Sequence, residues 1–255
     1  MARVKVKTTL PKSPYQSSAD RPIIITERLI LVPAAASHEA EVHRMRMQED
    51  VMVWSAARRA DPDIANTREL MGAWLPPNDA ETWNLVVFTR DTGAFVGTAG
   101  NYRRAGTQGW PELGYMLMKE HWGVGYATEI MKAFVKAWWE LPREEVVVEV
   151  DEDTCMASGR RDVKIEEGTV VDELLVAVID KSNGRSANVL RKNGFEMVKK
   201  WEETENGEVF DLETLVLRNK ETSTKGRSTG IDSKAGSRQP EAGENQAMPA
   251  TRISV

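Results

Sequence analysis

A chain of 255 residues, 41% of them hydrophobic, is long enough to bury a sizeable core as one large domain with tails or as two small ones. Its net charge of -5 and pI of about 5.5 exclude the whole-chain basic field that draws nucleic acid or an anionic membrane. A lone cysteine, Cys155, excludes an intrachain disulfide framework, and no apolar run nears the ~20 residues that span a bilayer, so a reducing, cytoplasmic setting is expected.

Residues 1–21 combine Arg3, Lys5, Lys7 and Lys12 with Pro11 and Pro14 and hold no acid before Asp20, which predicts a disordered basic arm. Residues 23–32 read as a first strand, stopped by Pro33. Ser37 then caps a helix to about Met47, with Val42 and Met45 on one face. His38 and His43 are five apart and do not share a helix face as a zinc pair would; they read as surface histidines, and no metal is expected. A short helix over 68–75 follows Asp61-Pro62 and ends at Pro76-Pro77.

Two β-rich runs, 83–89 and 94–102, flank the hairpin signal Asp91-Thr92-Gly93, and a third, 112–118, completes an antiparallel meander. The period then changes. Leu113, Tyr115 and Leu117 alternate as in a strand, whereas Ile130, Phe134 and Ala137 with Trp138 recur about once per helical turn until Pro142. Between them stand Gly123-Val124-Gly125. Glycines at a helix entrance let several N–H groups converge where the helix dipole is positive, and this predicts an anion cradle for a phosphorylated cofactor.

Residues 145–150 and 173–180 are both strong strands, separated by a polar stretch, 151–168, that reads as a mobile insertion near the substrate side. Either strand can stand beside 112–118; the second is favoured because it leads into the next motif. That motif, residues 183–195, is a short helix capped by Asn183 or Ser186, with Val189 and Leu190 on its apolar face and Gly194 at its end. A hairpin over 195–202 and 208–217, turning at Asn206-Gly207, closes the folded region, and residues 219–255 read as a disordered tail.

Glu112-Leu113-Gly114-Tyr115 on a strand, His121-Trp122-Gly123-Val124-Gly125-Tyr126-Ala127-Thr128-Glu129 opening a helix, and the later Asn183-x-x-Ser186-x-x-Val189-Leu190-x-Lys192-x-Gly194-Phe195 together resemble the GNAT superfamily of acetyl-CoA-dependent N-acetyltransferases. Thr26-Glu27-Arg28-Leu29-Ile30-Leu31 resembles the branch typified by the ribosomal-protein N-terminal acetyltransferases. The resemblance spans residues 23–217 and implies an α+β fold whose mixed, largely antiparallel sheet splays between 112–118 and its parallel neighbour, flanked by helices. A single such domain would cover 22–218.

The same resemblance implies that acetyl-CoA is the co-substrate. Backbone at Leu117 and Met118 would pair with the pantetheine and thioester. Amides of His121, Trp122, Gly123, Val124, Gly125, Tyr126 and Ala127 would hold the pyrophosphate, and the Asn183 side chain the pantetheine. The family's usual Gln or Arg three residues before the first loop glycine is Glu120 here, a negative charge near the phosphates.

Amine acetylation needs a neutral nucleophile. A lysine amine of pKa ~10.4 is only about one-thousandth neutral at pH 7, and an α-amine near 8 about one-tenth. Glu112 is the candidate proton acceptor, directly or through water, and Ser186 the candidate donor to the departing thiolate. A backbone N–H at Leu117 or Met118 would stabilise the developing oxyanion. The acceptor, a protein N-terminus or a small-molecule amine, is left open, as is the choice between monomer and homodimer. A dinucleotide-binding unit fails because Thr128 stands in place of its third glycine, and an NTPase loop fails because no Gly-Lys-Ser/Thr follows. A non-catalytic acyl-CoA sensor is the alternative from another class.

Overall fold

The computed structural model describes residues 2–156, 165–205 and 207–219. In chain order the elements are β1 (Arg3–Pro11), β2 (Ile24–Ile25), β3 (Leu29–Pro33), α1 (Glu39–Arg46), α2 (Glu49–Met52), α3 (Ile64–Gly72), β4 (Trp83–Thr89), β5 (Phe95–Arg103) and β6 (Glu112–Leu117). Then come α4 (Tyr126–Glu140), β7 (Arg143–Asp151), α5 (Glu152–Met156), β8 (Leu174–Asp180), α6 (Gly184–Lys192), β9 (Glu196–Glu205) and β10 (Glu208–Arg218).

Eight strands form one sheet in the order β2-β3-β4-β5-β6-β8-β10-β9, antiparallel throughout except between β6 and β8. Those two pair only at Glu112↔Val176, where Val176 N–H donates to Pro111 O at 2.9 Å, and then part. The sheet is therefore split at its centre, and 173–180, not 145–150, is the strand beside the glycine-bearing unit. Leu113, Tyr115 and Leu117 of β6 and Leu175, Ala177 and Ile179 of β8 project to one face, where α4 buries Ile130, Met131, Phe134 and Trp138 and α6 buries Leu190. The opposite face carries two separate clusters. Met45, Met52 and Met71 of the α1–α3 unit pack on Val86 and Met116, while Val6, Trp110, Val150 and Cys155 pack on Val176 and Val178.

Several predicted elements change. The basic arm is not disordered: Arg3–Pro11 pairs with β7 along its whole length, from Arg3↔Asp151 to Pro11↔Arg143. The alternation Val4, Val6, Thr8, Leu10 beneath the basic residues is a strand period, and the two prolines fall at and beyond the strand's end, where a missing N–H costs no ladder bond. Lys5 faces Glu149 across the pair, so the positive charge of the first strand meets the acids of the second. Beyond it Tyr15 is buried in the main core, and Arg21 lies 4.7 Å from the Trp83 ring centroid.

Residues 23–32 split into β2 and β3, and the first helix is capped at His38 without a side-chain bond from Ser37, which lies within a preceding 3₁₀ turn. The helix predicted over 68–75 is α3, which begins earlier because Asp63 accepts from Ala65 N and Asn66 N at 2.8 and 3.3 Å and ends at Gly72, short of Pro76-Pro77. At its start the predicted insertion is helical rather than mobile: Trp110 Nε1 donates to Thr154 Oγ1 at 2.8 Å, and Cys155 and Ile165 are buried in the cluster around Trp110. Residues 157–164 and 220–255, including the predicted tail, lie outside the described residues; Asn219 donates its N–H to Glu173 O at 3.1 Å. No helix among the described residues is long and apolar enough to cross a membrane.

Candidate active site

Where β6 and β8 part, a cavity of about 480 Å³ opens between the end of β6, the loop into α4 and the start of α6. Gly123 and Gly125 line it at φ 78° and 89°, the left-handed region that glycine enters without a side-chain clash. Gly125 is the cap residue of α4 and offers no side-chain acceptor, so the amides of residues 123–128 find none among the described residues. Six donors gathered at the positive end of a fifteen-residue helix suit a diphosphate. Arg185 and Lys192 line the same cavity from α6 and add positive charge beside it.

The loop is held from outside by a motif whose role the sequence did not disclose. Glu129 in the first turn of α4 accepts from Thr26 Oγ1 at 2.7 Å, from Arg28 N at 2.9 Å and from Arg28 Nε at 2.7 Å. Burial would raise the Glu129 carboxyl, but these donors more than offset it and hold it below the usual range. Arg28 also donates to Val124 O at 2.9 Å and covers the Tyr126 ring at 4.7 Å. Thr26 and Arg28 thus brace the entrance of the helix from the β2–β3 turn, and spacing alone could not pair them with a residue a hundred positions away.

Glu120, the departure from the family pattern, turns out of the cavity. Its carboxylate accepts from Gln48 Nε2 at 3.0 Å, while Gln48 Oε1 accepts from Lys119 N at 2.9 Å. Its own backbone amide, the first of several donors, keeps the group below the usual carboxylate range. His121 contacts Phe95 O through Nε2 at 3.1 Å, and Trp122 Nε1 donates to Leu117 O at 2.9 Å. The amides of His121 and Trp122, expected in the cradle, instead donate to Met118 O and Lys119 O at 3.0 and 3.1 Å in the preceding turn, so the free donors begin at Gly123.

The two backbone candidates at the end of β6, Leu117 and Met118 just beyond it, separate by parity. Met118 N–H donates to Val96 O at 2.9 Å and is therefore engaged with β5, which corrects the expectation that it could serve an oxyanion. Register pairs Leu117 with Gly97 and Tyr115 with Ala99, so alternation turns the amides of Leu117 and Tyr115 away from β5 and into the split. On the far wall Asn183 lines the cavity and caps α6, its Oδ1 accepting from Ser186 N at 3.0 Å, which decides between the two predicted caps. Ser186 is buried, and its hydroxyl lies 2.9 Å from that of Tyr115.

Glu112 is not in this cavity. It stands at the opposite, paired end of β6, about 16 Å from Leu117 at the usual rise per strand residue. Its side chain is buried, with Oε2 accepting from Thr107 N at 3.1 Å, and it underpins the 106–110 turn. A strand-start carboxylate and a catalytic one look alike in sequence; only the position of the split distinguishes them. No Asp or Glu lines the cavity among the described residues.

The model of the acetyltransferase (GNAT) domain family matches residues 28–196. Among solved structures, an acetyltransferase of the GNAT family from Bacillus anthracis superposes with a TM-score of 0.54 at 16% identity, covering 77% of this chain and 98% of that one. Spermidine N-acetyltransferase from Vibrio cholerae, solved with CoA and spermine, gives a TM-score of 0.52 at 12% identity over 76% of this chain and 96% of that one. The Salmonella typhimurium acetyltransferase that modifies the N-terminal serine of a 50S ribosomal subunit protein gives 0.51 at 14% identity, covering 78% and 99%. At these identities the likeness is one of fold.

Proposed function

The chain belongs to the GNAT acetyltransferase family and is an acetyl-CoA-dependent N-acetyltransferase, and from that premise we propose that it acetylates an α-amine by direct transfer, the acceptor being a peptide N-terminus or a small molecule that carries one. The observation that carries the choice is the absence of a carboxylate from the cavity among the described residues. Without a carboxylate to take its proton, a lysine-type amine presents only about one-thousandth of its population in reactive form at pH 7, whereas an α-amine presents about one-tenth.

Acetyl-CoA, when bound, supplies the acetyl group as a thioester and leaves as a thiol. The chain's own groups divide the remaining work. Amides of residues 123–128 fit the pyrophosphate, with Arg185 and Lys192 contributing charge. The Leu117 N–H, directed into the split, is the donor for the acyl oxygen as it gains charge. Ser186 and Tyr115 form a hydroxyl pair through which a proton given up by the amine is returned to sulfur without either hydroxyl ending ionised. Asn183 fixes this pair by holding the first turn of α6.

The same lack of a carboxylate is what a non-catalytic acyl-CoA sensor would show, and one assay separates the two. Thiol release from acetyl-CoA is measured against peptides with free α-amines, the same peptides blocked at the N-terminus but bearing lysine, and small amines. Transfer to free α-amines with little to lysine supports the proposal. Acetyl-CoA binding with no transfer to any amine overturns it in favour of the sensor.

A further inference from the structure

A second polar feature crosses the split. Arg58, in the segment between α2 and α3, is held at φ 54°, a left-handed conformation that disfavours a residue with a Cβ. Its Nη1 pairs with Asp180 Oδ2 at 2.8 Å and also reaches Val53 O at 3.3 Å, and its guanidinium lies 4.4 Å from the Phe210 ring centroid. Asp180 ends β8 on the face opposite α4, in alternation with Ile179, and its Oδ1 accepts from the amide and hydroxyl of Ser182. Its other oxygen is thereby left to a cation.

The position matters as much as the pairing. Val51 and Trp54, in and just after α2, line the cavity, and so does Asn183, three residues beyond Asp180. Arg58 therefore joins the α1–α3 half of the molecule to the β8–β10 half at the end where β6 and β8 have separated. The Arg58–Asp180 pair lies beside the cavity lining rather than within it, four residues beyond Trp54 and three before Asn183. Its side chains keep 22% and 15% exposure, so a solute cation can exchange with the guanidinium.

We infer that Asp180 and Phe210 form a cation subsite for the acceptor, and that Arg58 occupies it as an internal stand-in until a basic group of the substrate replaces it. A carboxylate oxygen beside an aromatic face selects a guanidinium or ammonium group. The inference rests on the α-amine reading above and narrows it. The acceptor is an α-amine carrying a second positive charge close by, such as a peptide with a basic residue next to its N-terminal one.

The test compares binding of Gly-Arg amide and Gly-norleucine amide to the CoA-saturated protein by calorimetry. The wild type is expected to bind the arginine peptide at least fivefold more tightly. Asp180→Asn abolishes that preference, Phe210→Leu reduces it, and Arg58→Ala increases it because the competitor is gone. Equal affinity for the two peptides in the wild type, or a preference that survives Asp180→Asn in folded protein, overturns the subsite. Acetyl transfer to both peptides is measured alongside. Its loss would count against α-amine acetylation, whereas transfer without preference would count against the subsite alone.

Discussion

The hydroxyl of Tyr115 stands 2.9 Å from the hydroxyl of Ser186, linking the middle of β6 to the first turn of α6 across the split in the sheet. Both residues line the cavity. Burial pushes the phenol above its ordinary value, the Ser186 bond opposing only part of this, so Tyr115 keeps its proton near neutrality. Tyr115→Phe and Ser186→Ala are each expected to lower kcat about 10² -fold, at the low end for a positioned proton donor, with little change in the KM for acetyl-CoA. The double variant should lose no more than either alone, since the two act as one unit. Multiplying losses in a double-mutant cycle would refute the pairing.

Gly125→Ala probes the cradle. At φ 89° an L side chain costs about 1–2 kcal/mol, and the new Cβ would sit 3.4 Å from Arg28 Nη2, the group that braces the loop. The Kd for acetyl-CoA is expected to rise about tenfold, as 1.4 kcal/mol requires. Gly93→Ala, at φ 68° in a hairpin turn away from the cavity, is the control and should strain the fold without moving that Kd. An equal effect of both on cofactor affinity would show that the loop conformation is not what binds.

Glu112→Gln is expected to leave the pH dependence of turnover where it was. The amide oxygen still accepts from Thr107 N, so the 106–110 turn survives, and the residue lies at the paired end of β6. A rate that falls selectively at low pH in this variant would restore Glu112 as the base.

Glu173 predicts how stability depends on pH. Its side chain is fully buried between Thr9 and Arg143, with Oε1 unpartnered among the described residues. Burial pushes the carboxyl up to about 7 from an ordinary 4.5, the Arg143 charge and the Thr9 hydroxyl limiting the rise. The folded chain therefore holds this proton more tightly than the unfolded one. Its contribution is complete below pH 4.5 and is lost as pH climbs through about 7. Thermal melts at pH 5 and pH 8 should show the wild type losing stability over that interval, and Glu173→Gln losing much less. Parallel curves would remove Glu173 as the cause.

What the sequence determined by itself was everything carried by near neighbours: the change of period across residues 112–138, the glycine pair where it changes, a short capped helix after Asn183 ending at Gly194, and the three-strand meander. Strand alternation, helical repeat and backbone freedom at glycine act over a few residues and leave their mark in the order of side chains. Tertiary structure alone decided which strand stands beside which. It paired Arg3–Pro11 with β7, turned the Met118 amide toward β5 and that of Leu117 into the split, and placed Glu112 at the closed end. It also brought Tyr115 to Ser186, Glu129 to Arg28 and Arg58 to Asp180. Each of those contacts joins residues dozens of positions apart, so only the folded chain brings its partners together.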